Sequence, residues 1–197
     1  MEKDKFQVLS WDEFYWDIFD LGKKIKKSYQ ADILIAVARG GWVVGRIISD
    51  LLEIDRVASI GVKFYKGINS RNERPVITQP LSIDVKNQKV LIVDDIADTG
   101  ETVKIVREYV LKGEPKDVKI AVVYLKPWCR VKVDFFIKET DKWVVFPYER
   151  METINYLLKK MKLKGLEENE VLTAIANLGF DKFTIKRVLK QLKICLF

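Results

Sequence analysis

The chain has 197 residues, 48% of them hydrophobic and 11% aromatic, enough to bury one good core, so a main domain with a small appendage is expected. It contains no histidine, which excludes a Ser-His-Asp triad, a Cys-His pair and any imidazole metal ligand, and its two cysteines cannot by themselves build a disulfide framework or a zinc site. The net charge of +7 points to an anionic partner, but residues 150–197 carry ten Lys and Arg against five Asp and Glu, so most of the excess sits in the tail.

No apolar run approaches the roughly 20 residues needed to cross a bilayer. The opening "MEKDKFQVLS" is charged and lacks the apolar centre of a signal peptide. A cytoplasmic protein with no membrane partner is expected. "SWDE" at Ser10–Glu13 reads as a capping box that opens a helix, and Phe14, Ile18, Leu21 and Ile25 then recur on one helical face. Ile33–Val37 is a short apolar strand ending in the pair Gly40–Gly41, and "WVVGRIISDLLEI" continues as a helix. A strand follows at Val57–Phe64. Tyr65 to Ile83 is polar, carries Gly67, Pro75 and Pro80, and reads as a long loop of the kind that usually serves function. Lys89–Val93 is a buried strand, with a helix from about Glu101 to Lys112. "KDVKIAVVYLKP", "VDFFI" and "KWVVFPYE" supply further strands. This alternation of apolar strands and helices implies an α/β domain around a largely parallel sheet.

In such a sheet ligands collect beyond the carboxyl ends of the strands, where Asp94, Asp95 and Asp98 cluster. "DTGET", Asp98–Thr102, leads into a helix whose first N–H groups lack intrahelical partners. Those groups can cradle a phosphate, with Thr99 and Thr102 adding hydroxyl donors, Gly100 allowing close approach, and Glu101 turned outward. A Walker loop is absent. Carboxylates only accept hydrogen bonds, so Asp94 and Asp95 suit the hydroxyls of a diol or the water shell of a metal. A phosphate cup beside a diol clamp describes a site for a ribose 5-phosphate. A metal held by carboxylates alone would be a hard ion such as Mg²⁺.

"VLIVDDIADTGET", Val90–Thr102, closely resembles the phosphoribosyl pyrophosphate signature of type I phosphoribosyltransferases. "ARGG", Ala38, Arg39, Gly40 and Gly41, is similar to the family's pyrophosphate loop in place and order. "LKP" at Leu125–Pro127 and "DKWVVFPYE" at Asp141–Glu149 resemble the nucleobase site of its 6-oxopurine branch, nearest the xanthine–guanine type. The resemblance implies a type I phosphoribosyltransferase fold, with a mobile hood loop at Tyr65–Ile83, in which Tyr65, Arg71 and Arg74 are candidates. By the same resemblance Lys126 would donate to the purine 6-oxygen, Trp143 would stack on the ring, and the Val144 backbone would meet its edge. Asp98 would handle the purine N7 proton. Asp95, and Glu149 where the branch usually has Asp, would help hold Mg²⁺. The implied activity is purine salvage from phosphoribosyl pyrophosphate and guanine, hypoxanthine or xanthine, by a homo-oligomer.

The resemblance covers residues 30–150 and extends to the opening helix, and residues 1–150 are taken as the phosphoribosyltransferase domain. Residues 151–197 read as a basic helical appendage of three short helices. Ile154, Leu157, Leu158 and Met161 line the first, Val171, Ile175 and Leu178 the second, and Val188, Leu189 and Leu192 the third, with a stop at "NLGF". A regulator that binds nucleic acid through this tail is the rival reading, as is transfer to another base. The complete base-site motif favours the enzyme, and nucleic acid is not expected as a partner.

Overall fold

In the computed structural model the described residues are 5–66, 73–162 and 168–191. The helix α1, Trp11–Lys26, opens on the expected box: the Ser10 N–H donates to the Glu13 carboxylate at 2.8 Å, and the Glu13 N–H donates to Ser10 Oγ at 3.1 Å. Its stripe of Phe14, Ile18, Leu21 and Ile25 is fully buried.

The chain packs as two units. Residues 15–140 form the larger, and residues 1–14 with 141–197 the smaller. The larger is built on β2 (Ile33–Ala38), α2 (Gly41–Leu52), β3 (Val57–Lys66), β4 (Glu73–Gln79), β5 (Lys89–Ala97), α3 (Glu101–Leu111), β6 (Asp117–Leu125) and β7 (Lys138–Glu139). Its six strands lie in the order β4-β3-β2-β5-β6-β7. All pairings are parallel except β3 with β4. The strands β2 and β5 read as near-continuous apolar runs because both their faces are covered. Ile33, Ile35, Ile92 and Ile120 share a core with Val103, Val106 and Val110 of α3. On the other face α2 approaches through Gly45, where an added Cβ would meet Ala36 at 2.8 Å.

Two elements differ from expectation. The strand β5 extends past Val93 to Ala97, because β6 keeps pairing with it through Ile96 and Ala97 after β2 has turned away at Val93. The segment expected as a loop from Tyr65 to Ile83 instead contains strand: β3 runs to Lys66, and β4 pairs antiparallel with it. Pro75 is tolerated because β4 lies at the sheet edge. Arg74 is exposed on β4, in register with Tyr65, whereas Arg71 lies outside the described residues.

The smaller unit pairs β1 (Phe6–Val8) with β8 (Trp143–Val145) in a two-stranded parallel ribbon. It adds the helices α4 (Arg150–Lys162), α5 (Glu168–Asn177) and α6 (Lys182–Gln191). The expected apolar stripes of the tail are buried against one another, with Val145, Phe6 and Val8 joining the same core. Gly179 (φ 104°) stops α5 and turns the chain so that Phe180 folds in. Leu192 and Cys195 lie outside the described residues. Among the described residues no helix is long and apolar enough to cross a membrane.

Candidate active site

The helix after β2 leads to β3 and the helix after β5 leads to β6, so the two connections diverge from adjacent parallel strands and leave a crevice between them. This is the switch point at which open α/β sheets take ligands. Asp94 and Asp95 stand at its floor, on the stretch of β5 that β2 no longer covers, only 6% and 7% exposed.

Ala38–Gly41 closes one wall, after a cis Ala38–Arg39 peptide bond. The reason for two glycines is steric. A Cβ on Gly40 would stand 2.1 Å from Asp95 Oδ2, and one on Gly41 would stand 2.6 Å from the Val93 carbonyl oxygen. The loop therefore lies directly on the acids. Gly41 and Asp95 both offer backbone N–H groups to the Asp94 carboxylate, the latter at 3.0 Å. Burial, and then the neighbouring Asp95 charge, nevertheless push the Asp94 carboxyl well above the usual carboxylate range. Arg39 is exposed beside this wall.

Asp98–Thr102 forms the other wall. Gly100 takes φ 87° at the N-cap of α3, a conformation open to glycine, and a Cβ there would meet Val131 Cγ2 at 2.7 Å and Cys129 Sγ at 2.9 Å. The Glu101 N–H makes only a long contact of 3.4 Å to Thr99 Oγ1, so the start of α3 offers donors to an anion. The Glu101 side chain is exposed, and Thr102 is half-buried in the first turn.

Lys126 follows β6 and is 6% exposed, with its N–H donating to the Ala97 carbonyl at 3.0 Å. The larger unit thus brings Asp94, Asp95, Asp98, the Ala38–Gly41 loop, the Thr99–Thr102 loop and Lys126 to one end of its sheet. Trp143, Val144 and Glu149 belong to the smaller unit. Trp143 is 58% exposed on β8 and stacks against Tyr156 of α4, with ring centroids 6.3 Å apart and planes 6° apart. The Leu9 N–H donates to the Val145 carbonyl at 3.0 Å, so by strand alternation the N–H and C=O of Val144 point away from β1. Glu149 sits half-buried just before α4, its carbonyl accepting from the Thr153 N–H at 2.8 Å.

Among the described residues no three His, Cys, Asp or Glu side chains converge to cage a metal. The donor set is all oxygen and small, which fits Mg²⁺ carried in on phosphate oxygens with one or two carboxylates nearby. Two contacts were not foreseen. The Trp128 indole N–H donates to Asp98 Oδ1 at 2.6 Å, and Tyr156 of the tail meets Trp143. An exposed tryptophan two positions after Lys126 was the only signal for the first; the second depends on how α4 packs.

Two glycine-bearing loops flanking a buried acid pair at the switch point of a parallel sheet are the arrangement of a nucleotide-type transferase. The phosphoribosyl transferase domain model matches residues 7–150, and the chain belongs to that family. It is 31% identical to xanthine-guanine phosphoribosyltransferase of Nitratidesulfovibrio vulgaris over 143 residues, 72% of this chain and 83% of that protein. The corresponding enzyme of Idiomarina loihiensis is 32% identical, covering 72% and 85%. Among solved structures, the purine phosphoribosyltransferase of Pyrococcus horikoshii matches at 41% identity with a TM-score of 0.67, covering 73% of this chain and 93% of that one.

Proposed function

We propose that the chain transfers the 5-phosphoribosyl group of phosphoribosyl pyrophosphate to a 6-oxopurine, releasing pyrophosphate and a nucleoside 5′-monophosphate. The observation that carries this reading is the buried pair Asp94–Asp95 at the switch point, flanked by the glycine loop after β2 and the phosphate cup opening α3. The cup Thr99–Thr102 holds the 5-phosphate and the acid pair takes the ribose hydroxyls. Arg39 and the backbone of Ala38–Gly41 attend the leaving diphosphate. In the reaction the C1–oxygen bond to diphosphate breaks and a C1–nitrogen bond to the purine forms. Asp98 accepts the N7 proton, Lys126 donates to the 6-oxygen, Trp143 stacks on the base and the outward backbone of Val144 meets its edge. Asp95 and Glu149 are the carboxylates that would help hold Mg²⁺, which would supply charge neutralisation for the leaving diphosphate.

Residues 1–150 then carry the catalytic motifs and residues 151–197 the appendage, in a cytoplasmic purine-salvage enzyme. The exposed Tyr15, Trp16 and Trp42 support a homo-oligomer, since large aromatic side chains are costly to leave in water. The test is to incubate the protein with phosphoribosyl pyrophosphate, Mg²⁺ and a panel of bases, and to identify any nucleotide. Formation of the guanine, hypoxanthine or xanthine nucleotide, with adenine used at least about tenfold less well, is the expected result. No turnover with any base, together with a salt-dependent gel shift on nucleic acid, would establish the rival regulator instead.

A further inference from the structure

The turn that follows β6 is tied to the β5–α3 loop at both of its ends. The Lys126 N–H donates to the Ala97 carbonyl at 3.0 Å, and the Arg130 N–H donates to the Thr99 carbonyl at 3.2 Å. Within the turn the Cys129 N–H donates to the Lys126 carbonyl at 2.9 Å, and Cys129 and Val131 press on Gly100. Trp128 stands between these ties. Its indole N–H reaches Asp98 Oδ1 at 2.6 Å, and its ring lies under the Lys126 ammonium, 5.3 Å from the ring centroid. One side chain therefore touches both groups assigned above to the purine: the acid for the N7 proton and the ammonium for the 6-oxygen.

Those two purine atoms lie side by side on one edge of the base. A 6-oxopurine protonated at N7 presents a donor and an acceptor there, and only an acceptor and a donor held at matching spacing can pair with both. Asp98 lies on an exposed loop and the Lys126 charge stands at the end of a long stem, so a side chain in contact with both couples their positions. We propose that Trp128 is the positioning residue that sets that spacing, an inference that rests on the 6-oxopurine reading above. The indole N–H occupies Oδ1 of Asp98 and turns Oδ2 to the N7 proton. The negative face of the ring holds the ammonium where the 6-oxygen arrives. Indole N–H is a donor only, so Trp128 takes no proton from the base and acts through its two neighbours. Adenine presents two donors on the same edge, and a rigid Asp98–Lys126 pair rejects it more firmly than a loose one.

The two contacts separate by substitution. Trp128→Phe keeps an aromatic face and removes the N–H; Trp128→Leu removes both. We expect Trp128→Phe to lower kcat with hypoxanthine by about tenfold, to leave KM for phosphoribosyl pyrophosphate within about twofold, and to keep most of the hypoxanthine-to-adenine ratio in kcat/KM. Trp128→Leu should lower kcat at least as far and also reduce that ratio by about tenfold. A residue that only supports the fold would lower the melting temperature and the active fraction for all substrates alike, leaving the ratio and the KM values in place. Asp98→Asn and Lys126→Met are run beside them. If the wild type forms nucleotide and these two controls lose activity while both Trp128 variants match wild type, the positioning role is overturned and the function stands. A uniform loss in Trp128→Leu with an unchanged ratio overturns it equally. A wild type that uses no 6-oxopurine sinks the functional reading, and this inference with it.

Discussion

Gly40→Ala tests whether the loop after β2 and the acid pair on β5 act as one piece. The new Cβ would stand 2.1 Å from Asp95 Oδ2, 2.5 Å from Cγ and 2.8 Å from Oδ1. To restore even 3.0 Å the carboxylate must retreat by 0.9 Å or more. Alanine itself tolerates the native backbone at this position, φ −58° and ψ −42°, so the penalty comes from the contact and not from the chain. Overpacking of this kind costs about 1–3 kcal/mol. For a chain of this size that lowers Tm by about 2–12 °C, at about 2–4 °C per kcal/mol. If Asp95 holds the reacting sugar as proposed, moving it by nearly 1 Å should cost about 10²-fold in turnover. Thermal denaturation and a nucleotide-formation assay read the two effects separately. Asp95→Ala supplies the control, because it removes the atoms that the new methyl strikes. In that background Gly40→Ala should cost little further stability, giving a coupling of about 1 kcal/mol or more. A Gly40→Ala protein with wild-type Tm and turnover would refute the argument, and so would an equal loss of Tm in both backgrounds.

Asp98→Asn should leave Tm within about 2 °C of wild type and slow 6-oxopurine turnover by about 10²-fold, because the amide cannot take the N7 proton; steady-state kinetics beside a melt decide it. The Asp94 carboxyl is raised above its ordinary value of 3.8, so the folded state holds its proton more tightly and loses stability as pH climbs. Asp94→Asn should therefore raise Tm at neutral pH, with a gain that shrinks to nothing as pH falls towards 3.8 and levels off once pH exceeds the folded-state value; a melt series across pH that shows no gain at neutral pH would contradict this. A chain ending at Glu152 exposes Val145, Phe6 and Val8 and loses Tyr156. It should lose stability or change its oligomeric state, and should lose affinity for the purine more than for phosphoribosyl pyrophosphate, as measured by denaturation, sedimentation and calorimetric titration.

The larger unit was legible because its signals are local. Apolar runs of strand length and an Asp-rich turn each declare an element within a dozen residues, and the structure places the strands in one sheet. What escaped the sequence depends on partners distant along the chain. The strand β1 is three residues long and exists because Trp143–Val145 lies beside it. The strand β4 carries Pro75 and mixed polarity, and only its pairing with β3 makes it a strand. The contact that forbids a side chain at Gly40 is with Asp95, 55 positions later. The partnership of Trp128 with Asp98 spans 30 positions and has no periodic signature.

Because β1 pairs with β8, and Phe6 and Val8 share a core with α4, α5 and α6, a segment synthesised before residues 15–140 has its packing partners after them. Domains generally fold as they emerge from the ribosome, and residues 15–140 can close their sheet as soon as β7 is out. The leading segment must wait, its Phe6 and Val8 uncovered, until residue 141 and beyond have followed. Asp94, Asp95 and the Thr99–Thr102 loop lie in the early unit; Trp143 and Val144 lie in the late one. A nascent chain would thus complete the elements proposed to hold the activated sugar before those proposed to seat the base. A ribosome stalled when residue 140 has just cleared its exit tunnel should hold a chain that binds phosphoribosyl pyrophosphate and cannot yet finish a nucleotide.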